Sequence, residues 1–231
     1  MIEFTSEIKG QYGLGTAQVR RLSVIINNLG PEVARPTSVL DVGVGRGGMS
    51  RYLACELGFQ VTAVDIDASL LEGLKSSGIN TVVGDITELK LDQRFDGVVF
   101  AGLLDHLLRP DKALARANEM LNDGGWLMVS VYNAANIATM RRLLLGEVYL
   151  GETPTPVPWR SGRPRLFTPR HLGDMLSEGG FRVENKGGFY LTRLHALLGK
   201  ALPTLFSFEI WAWCKKADSG KEVDVLSPRL H

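Results

Sequence analysis

Short apolar runs alternate with helical periodicity along the first 132 residues, and that alternation predicts a layered α/β chain. Val39 and Leu40 are the short apolar residues of a buried parallel strand. Further strands are expected at 60–64, 81–83, 95–101 and 126–131. Helical segments fall between them: 49–57, a segment carrying Leu70, Leu71 and Leu74 that ends near Gly78, and one led by Pro110 and Asp111 with Leu114, Ala117 and Leu121 on its apolar face. An earlier helix over 16–29 carries Val19, Leu22, Ile26 and Leu29 on one side, with Thr16 as cap and Gly30-Pro31 as its stop. Strand–helix alternation of this kind gives a parallel, doubly wound sheet.

The last third departs from that rhythm. A helix over 134–145 is followed by a stretch rich in Pro, Gly and Arg, and 146–170 is expected to form a lid insertion after the fifth strand. Thr168 and Pro169 open another helix as cap and first residue, with Leu172, Met175 and Leu176 along it and Gly179-Gly180 at its end. Segments 181–189 and 205–215 read as two closing strands. Between them, 191–202 reads as an apolar-rich helix for core or interface packing, because His195 and Lys200 interrupt it. Residues 1–15, with Gly10, Gly13 and Gly15, are expected to be loosely structured, and 217–231 to be a disordered tail. One domain over 1–216 accounts for the rest, and no internal repeat is present.

Candidate chemistry sits behind the first strand. Gly43, Gly45, Gly47 and Gly48 form a glycine turn between strand and helix, where bare backbone can approach a nucleotide. The spacing formally allows a dinucleotide. Asp41 changes the picture: at the strand end it would repel a pyrophosphate and attract a ligand with a cationic amino-acid tail. Asp65 ends the second strand roughly twenty residues beyond the first glycine, the spacing at which an acid accepts ribose hydroxyls. Gly84-Asp85-Ile86 follows the third strand. Acids after three successive strands are hard to explain as packing.

The stretch D-V-G-V-G-R-G, together with Asp65, Gly84-Asp85 and the Leu104-Asp105-His106 segment, resembles the class I S-adenosylmethionine-dependent methyltransferases, small-molecule branch. Val44 and Arg46 stand where that family often has Cys and Thr. The resemblance spans about 39–132, and the closing strand pair extends it to 215. It implies a Rossmann-like methyltransferase fold, with seven strands, mostly parallel, and an antiparallel closing strand. It implies S-adenosylmethionine as cofactor, held by Asp41, Gly43, Val44, Gly45, Gly47, Asp65, Asp85, Ala101 and Gly102, with Ile66 and Ile86 sandwiching the adenine. The leading helix over 1–30 would lie over the cofactor or pack on the sheet. His106 is the candidate base. Tyr132, Asn133, Arg163 and Arg165 are candidate acceptor contacts, the arginines suiting an anionic acceptor.

Composition narrows the class further. A net charge of +1 argues against an extended nucleic-acid footprint. Ala101-Gly102-Leu103-Leu104 replaces the proline-aromatic motif of nucleic-acid aminomethylases. Cys55 and Cys214 form no C-x-x-C pair, so neither zinc nor a disulfide framework is expected. No signal peptide and no membrane span are expected, which makes a cytoplasmic protein with a small-molecule acceptor the expectation; oligomeric state stays open. Two rivals remain: a non-catalytic S-adenosylmethionine-binding protein, and an NAD-type oxidoreductase.

Overall fold

A computed structural model describes residues 5–29, 37–146 and 163–217. Seven strands form one sheet in the order β3-β2-β1-β4-β5-β7-β6. They are β1 (Ser38–Val42), β2 (Gln60–Asp65), β3 (Asn80–Val83), β4 (Phe95–Ala101), β5 (Leu121–Tyr132), β6 (Phe181–Phe189) and β7 (Glu209–Lys216). The first five run parallel, and β7 inserts antiparallel between β5 and β6. This is the doubly wound sheet with a closing antiparallel strand that the sequence predicts.

Both faces are covered, and strand alternation assigns the residues. Leu40, Val98 and Phe100 join one core with Leu114, Leu172 and Leu176 from α5 (Pro110–Met120) and α7 (Pro169–Glu178). Val39, Ala63, Val99 and Met128 join the other, under α2 (Thr16–Leu29), α3 (Gly48–Cys55) and α4 (Ala68–Lys75). Gly97 is a glycine because the Trp126 indole lies across it, stacked on Trp213 at 4.7 Å between centroids. A side chain there would collide with that ring.

Four local expectations are corrected. The first residues are not loose: Ser6–Tyr12 is a helix, α1, capped by Thr5 and ended by Gly13 at φ 62°. Tyr12 is buried, donates to Glu56 Oε1 at 2.5 Å and meets Tyr52 edge-on. This contact lies 44 residues away along the chain and is invisible to local propensity. Second, β5 starts at Leu121, because the chain enters the sheet directly from α5 and bulges between Leu121 and Trp126 opposite β4.

Third, 191–202 is not one helix. Thr192 caps a short α8 (Arg193–Leu198), which stops at Gly199 against the Tyr190 ring. Fourth, the closing strand starts at Glu209 rather than 205, because Pro203 opens a short turn of helix, α9 (Pro203–Phe206), first. The helix expected over 134–145 is α6 (Ile137–Leu144), with Asn136 as its cap. Most of the expected lid, 147–162, lies outside the described residues, as do the Gly30-Pro31 stop and the tail beyond 217.

Candidate active site

The carboxyl ends of β1, β2 and β3 bring the three sequence-predicted acids together. The glycine loop leaves β1 with Gly43 N–H donating to the Val64 carbonyl at 2.8 Å, so it turns across the end of β2. Gly45 sits at φ 53° with nothing within 4 Å of where a side chain would begin. Its backbone is therefore exposed to whatever occupies the crevice. Gly47, at φ 70°, caps α3, and Gly48 lies against the Tyr12 carbonyl, so α1 closes over the back of the loop. Val44 packs partly into the core beneath.

Asp41 is 1% exposed. Its Oδ2 accepts from Ser50 Oγ at 2.6 Å, while Oδ1 has no hydrogen-bond partner. Burial pushes its carboxyl from 3.8 up to about 6; the Ser50 hydrogen bond and the charge of Arg21 pull it down, and Asp65 pushes it up. A buried, half-satisfied carboxylate beside a glycine turn fits an ammonium group on a ligand. Asp65 is nearly buried and accepts from Asp67 N–H at 3.0 Å, which fixes its rotamer at the strand end. Asp85 is exposed and accepts from Thr87 N–H at 2.8 Å. Gly84 N–H donates to the Asp65 carbonyl, tying the two acid-bearing loops to one another.

The two expected adenine neighbours differ in exposure. Ile66 is 75% exposed, whereas Ile86 is buried in the core that holds Phe100 and Leu104. Ala101 and Gly102 lie at the end of β4, where Arg21 reaches them. The Arg21 guanidinium donates to the Ala101 carbonyl at 3.1 Å and pairs with Glu209 at 2.7 Å, and it lies against Gly102. Arg21 lies on α2, and its pairing with a residue 188 positions away carries no local signal.

The acceptor-side candidates lie around the ends of β4 and β5. His106 is exposed on the 3-10 turn Leu104–His106. Asp105, beside it, is buried and pairs with Arg163 at 2.8 Å; the two side chains are 2% and 6% exposed. The Arg163 guanidinium lies 4.8 Å from the Tyr132 ring centroid, and the Tyr132 hydroxyl meets Thr139 Oγ1 at 2.6 Å. Asn133 is fully buried. Its amide nitrogen donates to the Thr204 and Ser207 carbonyls and its oxygen accepts from Ala135 N–H, so it knits the strand end to 204–207. Arg165 is exposed and donates to the Leu108 carbonyl. The Asp105–Arg163 pair was missed as a unit, although both residues stood out singly. Among the described residues, no group of His, Cys, Asp and Glu could hold a metal ion.

A family model described as a methyltransferase domain matches residues 15–186. Trans-aconitate 2-methyltransferase of Mycobacterium tuberculosis is 27% identical over 180 residues, covering 76% of this chain and 66% of the relative. A mitochondrial ubiquinone biosynthesis O-methyltransferase of Candida albicans is 29% identical over 171 residues, covering 67% of this chain and 51% of the relative. The chain therefore spans less than two thirds of the length of these relatives. Burkholderia thailandensis 1,6-didemethyltoxoflavin-N1-methyltransferase, solved with S-adenosylhomocysteine, superposes with a TM-score of 0.60 at 24% identity, over 88% of this chain and 79% of that one. That likeness is one of fold.

Proposed function

Because this chain belongs to the methyltransferase domain family, we propose that it transfers a methyl group from S-adenosylmethionine to a small, anionic acceptor. The observation that carries the reading is the convergence of Asp41, Asp65 and Asp85 at adjacent strand ends beside the open backbone of Gly45, with one Asp41 oxygen unpartnered. Asp41 would hold the amino group of the methionine tail, Asp65 the ribose hydroxyls and Asp85 the adenine amino group, with Ile66 against the ring. Gly43, Gly45, Gly47, Ala101 and Gly102 supply backbone, and Arg21 a cation for the tail's carboxylate. The chemistry supplied by S-adenosylmethionine when bound is an electrophilic methyl on a sulfonium, with a neutral thioether as leaving group. The chain's own work is to orient the acceptor and exclude water, which can supply a large share of the barrier reduction.

Support for an anionic acceptor comes from Arg163, Arg165 and Arg170 within eight residues that hold no acid, and from the trans-aconitate relative. Asp105 balances Arg163, so Arg165 is the better-placed free charge. A carboxylate acceptor is already ionised near pH 7 and needs no base. His106→Gln should then leave turnover unchanged on a carboxylate and depress it on a hydroxyl acceptor, with cofactor affinity constant in both cases. The chain reads as one catalytic domain with a cytoplasmic site of action and no nucleic-acid substrate. No described helix is long and apolar enough to cross a membrane.

Isothermal calorimetry tests the cofactor directly. S-adenosylmethionine and S-adenosylhomocysteine should bind, and Asp65→Ala should weaken both by about 1–3 kcal/mol, because ribose hydroxyls lose a buried acceptor. Tight binding of NAD with no binding of S-adenosylmethionine overturns the reading. Binding without formation of S-adenosylhomocysteine from any tricarboxylate or hydroxylated aromatic would favour a non-catalytic binder. Arg165→Ala should raise the acceptor's KM and leave cofactor affinity alone.

A further inference from the structure

Two helices at the carboxyl rim of the sheet show apolar side chains to solvent. On α6, Met140, Leu143 and Leu144 are exposed, Leu144 by 87%. On α8 no residue is buried, and Leu194, Leu197 and Leu198 are all exposed. One junction ties α6 to α9, which packs on α8. The Asn133 side chain holds the Thr204 and Ser207 carbonyls near α9, and the Asn133 carbonyl holds Asn136, the cap of α6. Exposed leucines gathered on two short helices at one rim of the sheet mark a candidate interaction surface.

The charges around it have one sign. Arg141 lies on α6, and Arg193 and Lys200 on or just past α8, all exposed. Segments 134–146 and 190–208 contain no Asp or Glu. The acids that bound them in sequence are Asp123, Glu147, Glu184 and Glu209, the last buried on Arg21. A second copy docking through the same patch would bring these cations against their own equivalents, with no acid in either segment to pair them.

We propose that α6 and α8 dock the protein on an anionic lipid bilayer, with their leucines in the interfacial layer and Arg141, Arg193 and Lys200 on the headgroups. The helices are eight and six residues long, so they lie on the surface and do not span it. The inference is independent of the methyl-transfer reading.

Sedimentation of the full chain with vesicles tests it. The chain should pellet with equimolar phosphatidylglycerol and phosphatidylcholine, release in added salt, and stay in solution with phosphatidylcholine alone. Arg141→Glu with Arg193→Glu should lower the partition by more than tenfold, since each cation contributes about fivefold. Leu144→Glu with Leu197→Glu should abolish binding with an unchanged melting curve and unchanged cofactor affinity. Failure of the wild-type chain to pellet overturns the proposal. So does wild-type binding by the leucine variant, or equal binding to both vesicle types. A wild-type dimer that the leucine variant converts to a monomer, with no vesicle affinity in either, assigns the face to self-association instead.

Discussion

Asp105→Ala should destabilise the protein by about 3–5 kcal/mol, because it removes the buried carboxylate that pairs with the buried Arg163 guanidinium. The pair ties two stretches that follow different strands: the turn after β4, and the strip 163–167 that bridges to Asn133 through Phe167. Arg165 N–H on the Asp105 carbonyl and Ala134 N–H on the Phe167 carbonyl run along the same seam. Losing the charge partner therefore frees the segment that carries Arg165 as well. The paired replacement Asp105→Leu with Arg163→Met should recover most of the stability, since both buried charges are then removed. Urea melts of the two single variants and the double variant measure the coupling. Single losses under 1 kcal/mol would mean that water reaches the pair. The apolar pair is also informative about chemistry: if it restores stability but not the acceptor's KM, Arg163 has a part in the acceptor site beyond holding the seam.

Asp41→Asn should have opposite effects on folding and on cofactor binding. The folded carboxyl stands at about 6 against an ordinary 3.8, so the folded state favours the protonated form. That contribution is complete below pH 3.8, fades as pH rises to 6, and is absent above it. Asparagine mimics the protonated acid at every pH. Without cofactor, the variant should match the wild type near pH 3.5 and exceed it by about 3 kcal/mol above pH 6.5. With cofactor the order reverses. The ionised Asp41 would make a charge-assisted hydrogen bond worth about 1.5–3 kcal/mol, so the variant should bind S-adenosylmethionine about 10- to 150-fold more weakly at pH 7.5. Thermal melts across pH, with and without S-adenosylhomocysteine, measure both effects. Equal stability at pH 7.5 would show that the carboxylate is already solvated in the free protein. Stability given up in the empty site and regained with ligand is the usual cost of a preorganised charge.

The glycine loop and the acids at the strand ends were readable because their determinants are local. A strand carrying Val39 and Leu40 must be buried, glycines at φ 71°, 53° and 70° must be glycines, and an acid that follows a short apolar run stands near the strand's carboxyl end. The parallel, doubly wound sheet followed from the alternation of strands and helices, and the antiparallel closing strand from the family resemblance. The loop, the acids and the alternation are consequences of backbone geometry and of period, which any stretch of ten residues carries with it.

What surrounds the loop and those acids was decided by contacts between distant residues. Arg21 finds Glu209 across the sheet, Tyr12 finds Glu56, and Asp105 finds Arg163. No residue type announces its partner when the partner is tens of positions away, because an arginine in water and an arginine in a buried pair are written with the same letter. Burial was undecidable for the same reason. The leucines of 191–202 had the composition of a core helix, yet they lie in solvent, because Tyr190, Gly199 and Pro203 break the segment into pieces that have no other layer to pack against. Periodicity sets which residues share a face, and only the neighbouring elements determine whether that face is covered.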